Sequence, residues 1–166
     1  MKIAIAQINC IVGDLDGNAA KILDYANRAR EMGAKVLVTP ELSLTGYPPE
    51  DLLLREGFYS ACDAALFELT RSVEGITLVV GHPHLDNGKR FNSASVLQSG
   101  RIVATYHKQR LPNHSVFDEV RYFLPAVKDA FFKWMGFNLV SISVPIFGKR
   151  ALRSAPVSLV PRCCWC

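Results

Sequence analysis

Val36-Leu-Val-Thr-Pro-Glu41-Leu-Ser-Leu-Thr-Gly46-Tyr-Pro-Pro-Glu-Asp-Leu-Leu-Leu-Arg55 is the stretch from which the fold of this 166-residue chain is read. A β-branched apolar run stops at Pro40. Glu41 follows at once, and then the turn-rich Thr45-Gly-Tyr-Pro-Pro49. The pattern describes a buried strand that delivers one carboxylate to its carboxyl end, where α/β sheets gather reactive groups.

On either side the chain alternates strands and helices. Residues 2–9 alternate as a strand. Asn18 is placed to cap a helix from Ala19 to about Met32, with Ala19, Ile22, Leu23, Ala26 and Ala29 on its apolar face and Gly33 past its end. Lys35–Thr39 is the second strand. Asp51 to about Phe58 is expected to be helical. A longer helix follows, with Cys62, Ala65, Leu66, Leu69 and Val73 on one stripe and Gly75 at its end. Ile76–Gly81 is a third buried strand, closed by Gly81-His-Pro-His84. Asn92–Gln98 and Arg101–Lys108 pair through a Ser99-Gly100 turn. The order β-α-β-α-β-β-β defines an α/β layered domain. Periodicity alone says no more than that, and no internal repeat or flexible linker interrupts it.

The composition, 49% hydrophobic and 20% charged, is that of a soluble globular chain of one domain. No apolar run approaches the roughly 18–20 residues of a membrane span. The N-terminus has no signal-peptide cleavage pattern, so the cytoplasm and no membrane partner are expected. The net charge of +4 is unevenly spread: residues 1–123 balance to −1 and residues 124–166 to +5. Asp129 is the one acid of that tail, and the last 37 residues have none. The tail's basic residues are sparse and not interleaved with aromatics, which argues against nucleic acid as a partner. His82-Pro-His84 and Cys163-Cys164-Trp-Cys166 match no paired zinc-ligand spacing, so no metal is expected. The chain has neither a Gly-x-Ser-x-Gly elbow nor a phosphate-binding glycine loop. Cys10 and Cys62 are expected as core or near-core thiols.

A second segment carries as much information as the first: Tyr106-His-Lys108-Gln-Arg-Leu-Pro-Asn-His114-Ser-Val-Phe-Asp-Glu119-Val-Arg-Tyr-Phe123. Together the two resemble the nitrilase superfamily of carbon–nitrogen hydrolases. The wording Glu-Leu-x-Leu-Thr-Gly-Tyr-Pro-Pro-Glu-Asp-Leu-Leu, with Lys-x-x-Leu-Pro-Asn and Phe-Asp-Glu-x-Arg-Tyr-Phe, is similar to the glutamine-hydrolysing domains of glutamine-dependent NAD synthetases. The resemblance implies a four-layer α-β-β-α sandwich, of which this chain would hold the N-terminal half.

The resemblance also assigns roles. A carboxamide is a poor electrophile with a poor leaving group. Its hydrolysis is eased by a thiolate nucleophile, a base that moves the protons and a fixed cation for the oxyanion. By motif position Glu41 would be the base, Lys108 the oxyanion-side cation, Glu119 the group that holds Lys108, and His114 a contact to the substrate. The implied reaction is hydrolysis of L-glutamine, with the ammonia used in ATP-dependent amidation of deamido-NAD. No cofactor belongs to this domain; ATP and Mg would belong to a downstream synthetase domain. The family is homo-oligomeric. Other readings stay open: Glu41 as a solvated strand-end carboxylate, Glu119 paired with a surface arginine, another nitrilase-type amidase, or a truncated product without activity.

One family element is missing. The nucleophile is expected on a strand worded like Gly-Ile-x-Ile-Cys-x-Asp-x-Trp, some 25 residues past Arg121-Tyr-Phe. No cysteine occurs between Cys62 and Cys163. The genetic code suggests why. When each codon's third base is read with the first two of the next, Phe132-Lys133 forces Gln, Lys133-Trp134 forces Met or Val, and Trp134-Met135 forces Asp. Met135-Gly136 forces Gly and Phe137-Asn138 forces Gln, a sensible hairpin entry. The following codons permit Phe-Gly-Ile-Asn-Ile-Cys-Ala-Asp-Ile-Trp, with the cysteine astride Ser143 and Val144. Cys163-Cys164-Trp165-Cys166 forces Leu-Leu-Val. The expected division is therefore 1–123, the N-terminal part of a carbon–nitrogen hydrolase domain, and 124–166, an out-of-frame tail. The alternative is a diverged C-terminal segment in its proper frame. Local and global signals agree in the first part and conflict in the second.

Overall fold

The computed structural model describes residues 1–113 and 118–126, and the backbone of 131–134 and 137–140. Strand β1 (Ile3–Ile5) leads to helix α1 (Leu15–Glu31), strand β2 (Val36–Val38), a 3-10 turn at Glu50–Leu54 and helix α2 (Glu56–Ser72). Strands β3 (Thr77–Asp86), β4 (Lys89–Gln98) and β5 (Arg101–His107) follow, and then a 3-10 turn at Glu119–Arg121. The five strands form one mixed sheet in the order β1-β2-β3-β4-β5. The first three are parallel, with Ile3 opposite Val36 and Val36 opposite Thr77. The last two are antiparallel, with Gly81 opposite Ala94 and Ser93 opposite His107. A separate antiparallel pair, β6 (Phe131–Trp134) and β7 (Phe137–Val140), makes its own two-stranded sheet. Ser143 and Val144, around which the shifted cysteine codon is placed, lie outside the described residues.

Both helices cover one face of the main sheet. Ile22 and Ala26 of α1 and Leu66 and Leu69 of α2 pack with Leu37, Leu78, Val80 and Leu97, all buried. The stripes expected from the 3.6-residue period are the ones that bury, including Cys62, Ala65 and Val73. Because strand side chains alternate, the opposite face carries the other parity. There Ile3 and Ile5 remain 51% and 69% exposed. Helices on one side of a mixed sheet match the expected α/β layering; the described main sheet and helices supply one α layer and one β layer.

Three local expectations are corrected. Asn18 is not a cap. Asp14 caps α1 by accepting from the Gly17 amide at 3.0 Å, and the helix starts at Leu15. Asn18 is buried in the first turn. Its Oδ1 accepts from Ile11 N at 2.8 Å, and its Nδ2 donates to Ile11 O at 2.7 Å and Leu44 O at 3.1 Å. It ties the first loop to the loop that follows β2. The expected helix over Asp51–Phe58 is two pieces, divided at Arg55, which is extended at φ −94° and ψ 119°. The first strand is shorter than residues 2–9, because its partner β2 has only three residues.

A further correction concerns β3. Gly81-His-Pro-His84 does not close the strand, which runs on to Asp86 and turns at Asn87-Gly88, both with positive φ (48° and 74°). Pro83 is tolerated because β2 pairs with β3 only as far as Val79. Beyond that point β3 has β4 as its strand partner, its other edge accepts from Leu44 N at Gly81 O, and a missing amide at Pro83 on that edge costs no ladder bond. His82 is consequently interior. Its Nε2 lies 2.8 Å from Ser95 Oγ and its Nδ1 3.0 Å from Pro83 O. Burial pushes its imidazole down from about 6.5 to about 4, more than the Pro83 carbonyl raises it.

This gives stability a pH dependence of known sign. Between about pH 6.5 and 4 the unfolded chain takes up a proton at His82 that the folded chain refuses, so stability falls as pH falls through that window. The difference approaches about 3 kcal/mol. His82→Asn should flatten this part of the profile. Urea midpoints of the two proteins at pH 7, 5 and 4 measure it; parallel profiles would contradict it.

Candidate active site

The loop after β2 is shaped by contacts to β3. Thr39 N donates to Val79 O at 3.0 Å and Leu44 N to Gly81 O at 3.1 Å. Leu42, Leu44 and Thr45 are buried, and Leu42 takes a positive φ of 50°. Gly81 is required beneath this loop: a Cβ there would lie 2.6 Å from Leu42 N and 2.7 Å from Pro40 O. The loop turns tightly enough to point Glu41 back across the sheet, away from the helices.

Lys108, the residue after β5, comes to meet it. Its backbone N–H donates to Asn92 O at 2.8 Å. Its Nζ lies 2.6 Å from Glu41 Oε1 and 2.9 Å from Glu119 Oε1. Glu119 arrives on the second 3-10 turn, held by a bond from its own N–H to Pro112 O at 3.3 Å. The chain then returns along β4 and β5, with Leu124 N donating to Arg90 O at 2.8 Å and Ala126 N to Lys108 O at 3.1 Å. Three of the residues singled out in the sequence therefore meet in one cluster. The fourth, His114, lies outside the described residues.

Burial grades the cluster. The Lys108 and Glu119 side chains are 12% and 8% exposed, whereas Glu41 is 40% exposed. Burial alone would push Lys108 down, but its hydrogen bonds to Glu41 and Glu119 and their charges outweigh that and hold the ammonium above its usual value. Burial pushes the Glu119 carboxyl up, and Glu41's like charge adds to the rise against the pull of Lys108. Tyr47 is raised as well, by burial first and then by the two carboxylates.

Asn92 joins the cluster without having been singled out. It is buried, and its Nδ2 donates to Glu41 Oε1 at 2.6 Å. On a strand that also holds the buried Ser93 and Ser95, one more polar residue leaves no pattern that points to Glu41. Cys10 lies near the core rather than in it. It is only half-buried, and with Ile8, Asn9, Pro40, Ser43 and Tyr47 it lines a pocket of about 170 Å³ that Glu41 also borders. Burial raises its thiol, with Lys21 opposing. Cys62 lies inside α2 as expected, its thiol pushed up to about 12 by burial. A larger open groove of about 600 Å³ runs between α1 and α2, on the helix side of the sheet and apart from this chemistry. Among the described residues no group of His, Cys, Asp and Glu is arranged to hold a metal ion, and no helix is long and apolar enough to cross a membrane.

The carbon–nitrogen hydrolase pattern matches residues 2–157. The chain belongs to the carbon–nitrogen hydrolase family. Among its relatives, the glutamine-dependent NAD(+) synthetase of Xanthomonas campestris is 48% identical over 124 residues, 74% of this chain and 22% of that protein. The structure of the Acinetobacter baumannii glutamine-dependent NAD+ synthetase, in complex with ADP, superposes with a TM-score of 0.77 at 36% identity, covering 82% of this chain and 26% of the other. A mutant amidase from Nesterenkonia sp. AN1, in which acrylamide has added to the active-site cysteine, superposes with a TM-score of 0.72 at 29% identity. That likeness covers 84% of this chain and 56% of the amidase. This carbon–nitrogen hydrolase chain thus spans about a quarter of the length of the synthetases it matches and about half of the amidase.

The close approach at Gly81 makes the cluster sensitive to a single methyl group. Gly81→Ala should displace the Glu41 loop and cost about 1–3 kcal/mol, the usual range for overpacking. Chemical denaturation measures the loss, and a structure of the variant should show Glu41 Oε1 withdrawn from Lys108. An unchanged midpoint with the pair intact would contradict the assignment.

Proposed function

We propose that this chain carries the proton-handling part of a glutaminase site. Glu41 is the general base, Lys108 the cation beside the oxyanion, and Glu119 the carboxylate that fixes Lys108. The observation that supports this reading is the convergence on one ammonium of two carboxylates 67 and 11 residues away in sequence. One ammonium between two carboxylates leaves net negative charge, so a carboxylate stays available to accept a proton. Full solvation of Glu41, or pairing of Glu119 with a surface arginine, fits this geometry less well.

The chemistry follows from those roles. Glu41 takes the proton of a cysteine thiol as sulfur attacks the carboxamide carbon of L-glutamine. The carbonyl oxygen gains its charge beside Lys108. The tetrahedral adduct collapses, the carbon–nitrogen bond breaks, and ammonia leaves with the proton from Glu41. Water, deprotonated by Glu41, then attacks the thioester carbon, the carbon–sulfur bond breaks to release glutamate, and the thiolate takes the proton back from Glu41. His114 would contact the glutamine. The ammonia would serve ATP-dependent amidation of deamido-NAD, with ATP and Mg held by a synthetase domain. The Gly46-Tyr-Pro-Pro-Glu-Asp-Leu wording favours this substrate over those of other nitrilase-type amidases, for which the amidase likeness speaks.

We further propose that residues 124–166 are translated out of frame. The forced codon overlaps and the missing nucleophile support this. The family match running to residue 157 supports the alternative of a diverged segment in its proper frame. DNA sequencing across codons 120–170 decides between them. The shifted frame should stay open through the Ile-Cys-x-Asp-x-Trp strand, and a stop within a few codons would refute it.

The chain as it stands should release no ammonia from glutamine above background, since groups that act as a unit fail as a unit. An ammonia assay on the purified chain tests this. Turnover abolished by a cysteine-directed reagent would show that one of its own thiols serves as nucleophile.

A further inference from the structure

We infer that Asn92 is a positioning residue that divides the labour of the Glu41 carboxylate, holding one oxygen so that the other is the one that moves protons. The inference rests on the reading of Glu41 as general base. Both short contacts to Glu41 end on the same atom. Asn92 Nδ2 reaches Oε1 at 2.6 Å, and Lys108 Nζ reaches Oε1 at 2.6 Å. Neither donor is directed to Oε2. A carboxylate held by one oxygen in this way cannot spin about its last bond without breaking two charge-assisted hydrogen bonds. Its second oxygen therefore keeps a fixed direction.

Asn92 is suited to this task by what else it holds. It is 4% exposed, so its amide has no water to exchange with, and leaving that donor unpaired would be costly. It sits on β4 opposite Pro83, in the middle of the most extensive pairing of the sheet. Its carbonyl accepts the Lys108 backbone N–H at 2.8 Å while its side chain grips Glu41. One residue thus sets the backbone of the cation and the orientation of the base. Lys108 alone would not do so, because its flexible stem and three rotatable donors fix distance better than direction.

The experiment reads the hydrogen bond directly and needs no turnover. In ¹H–¹⁵N spectra of the intact chain, the Asn92 side-chain amide should give a proton displaced well downfield and exchanging slowly with solvent. Glu41→Gln, a substitution of nearly equal size and shape, should return that proton to the range of ordinary amides. Asn92→Leu should leave the sheet amides in place but cost the Lys108 ammonium signal its protection from exchange, because Glu41 is then free to swing away. Should Asn92→Leu fail to fold, the Glu41→Gln spectrum alone decides. An Asn92 signal unmoved by Glu41→Gln, or a Lys108 ammonium equally protected in Asn92→Leu, would overturn the inference. Failure of the protein with its frame restored to turn over glutamine would count against the glutaminase reading and leave these spectra unaffected.

Discussion

A single, largely enclosed ammonium shared by two carboxylates organises this molecule. The Lys108 side chain is 12% exposed, and withdrawing a partner from a charge so placed is costly because the charge is left uncompensated. That penalty demands that two carboxylates be brought to it from separate parts of the chain. Meeting the demand explains the tight loop after β2, the glycine beneath it and the return of residues 118–126 along β4 and β5. The pair is poor evidence of stability, since a well-packed apolar cluster of similar size would hold the strands as well or better. The structure keeps a charged cluster where packing alone would favour apolar side chains, which is the pattern expected of a reactive site.

Much of the fold was legible because its elements obey simple periods. The helix stripes at Ile22, Ala26, Leu66 and Leu69 bury as their spacing requires, and the Ser99-Gly100 turn joins its two strands with positive φ at both residues. The failures share a cause. Asn18 has the residue type of a cap, and only the position of the neighbouring loops, which it bonds, explains why it lies inside the helix. Gly81-His-Pro-His84 looks like the end of a strand, because the sequence does not reveal that β2 has already stopped. Asn87-Gly88 is a hairpin signal that the expected ending of the third strand at Gly81 obscured.

The site divides in the same way. Glu41, Lys108 and Glu119 were visible through motif wording, and the resemblance supplied their order. Asn92 was invisible, since one buried amide makes no pattern until its partner is located in space. Cys10 was expected near the core by residue type, yet the loop it occupies bends toward Glu41. Residue type reports what a side chain can do; only the chain's path decides which neighbour it does it with.

The strand order has a consequence for the time course of synthesis. Because β1 to β5 lie side by side in the order in which they are made, each new strand can dock on an edge completed moments earlier, and the sheet can grow as the chain leaves the ribosome. The ammonium of Lys108 is delivered with the last of these edges, when Glu41 is already in place. Glu119 emerges eleven residues afterwards. Closure of the charged cluster is therefore the final event in the growth of this sheet, and a nascent chain halted before that residue would present a finished scaffold with the cation at its rim held by Glu41 alone.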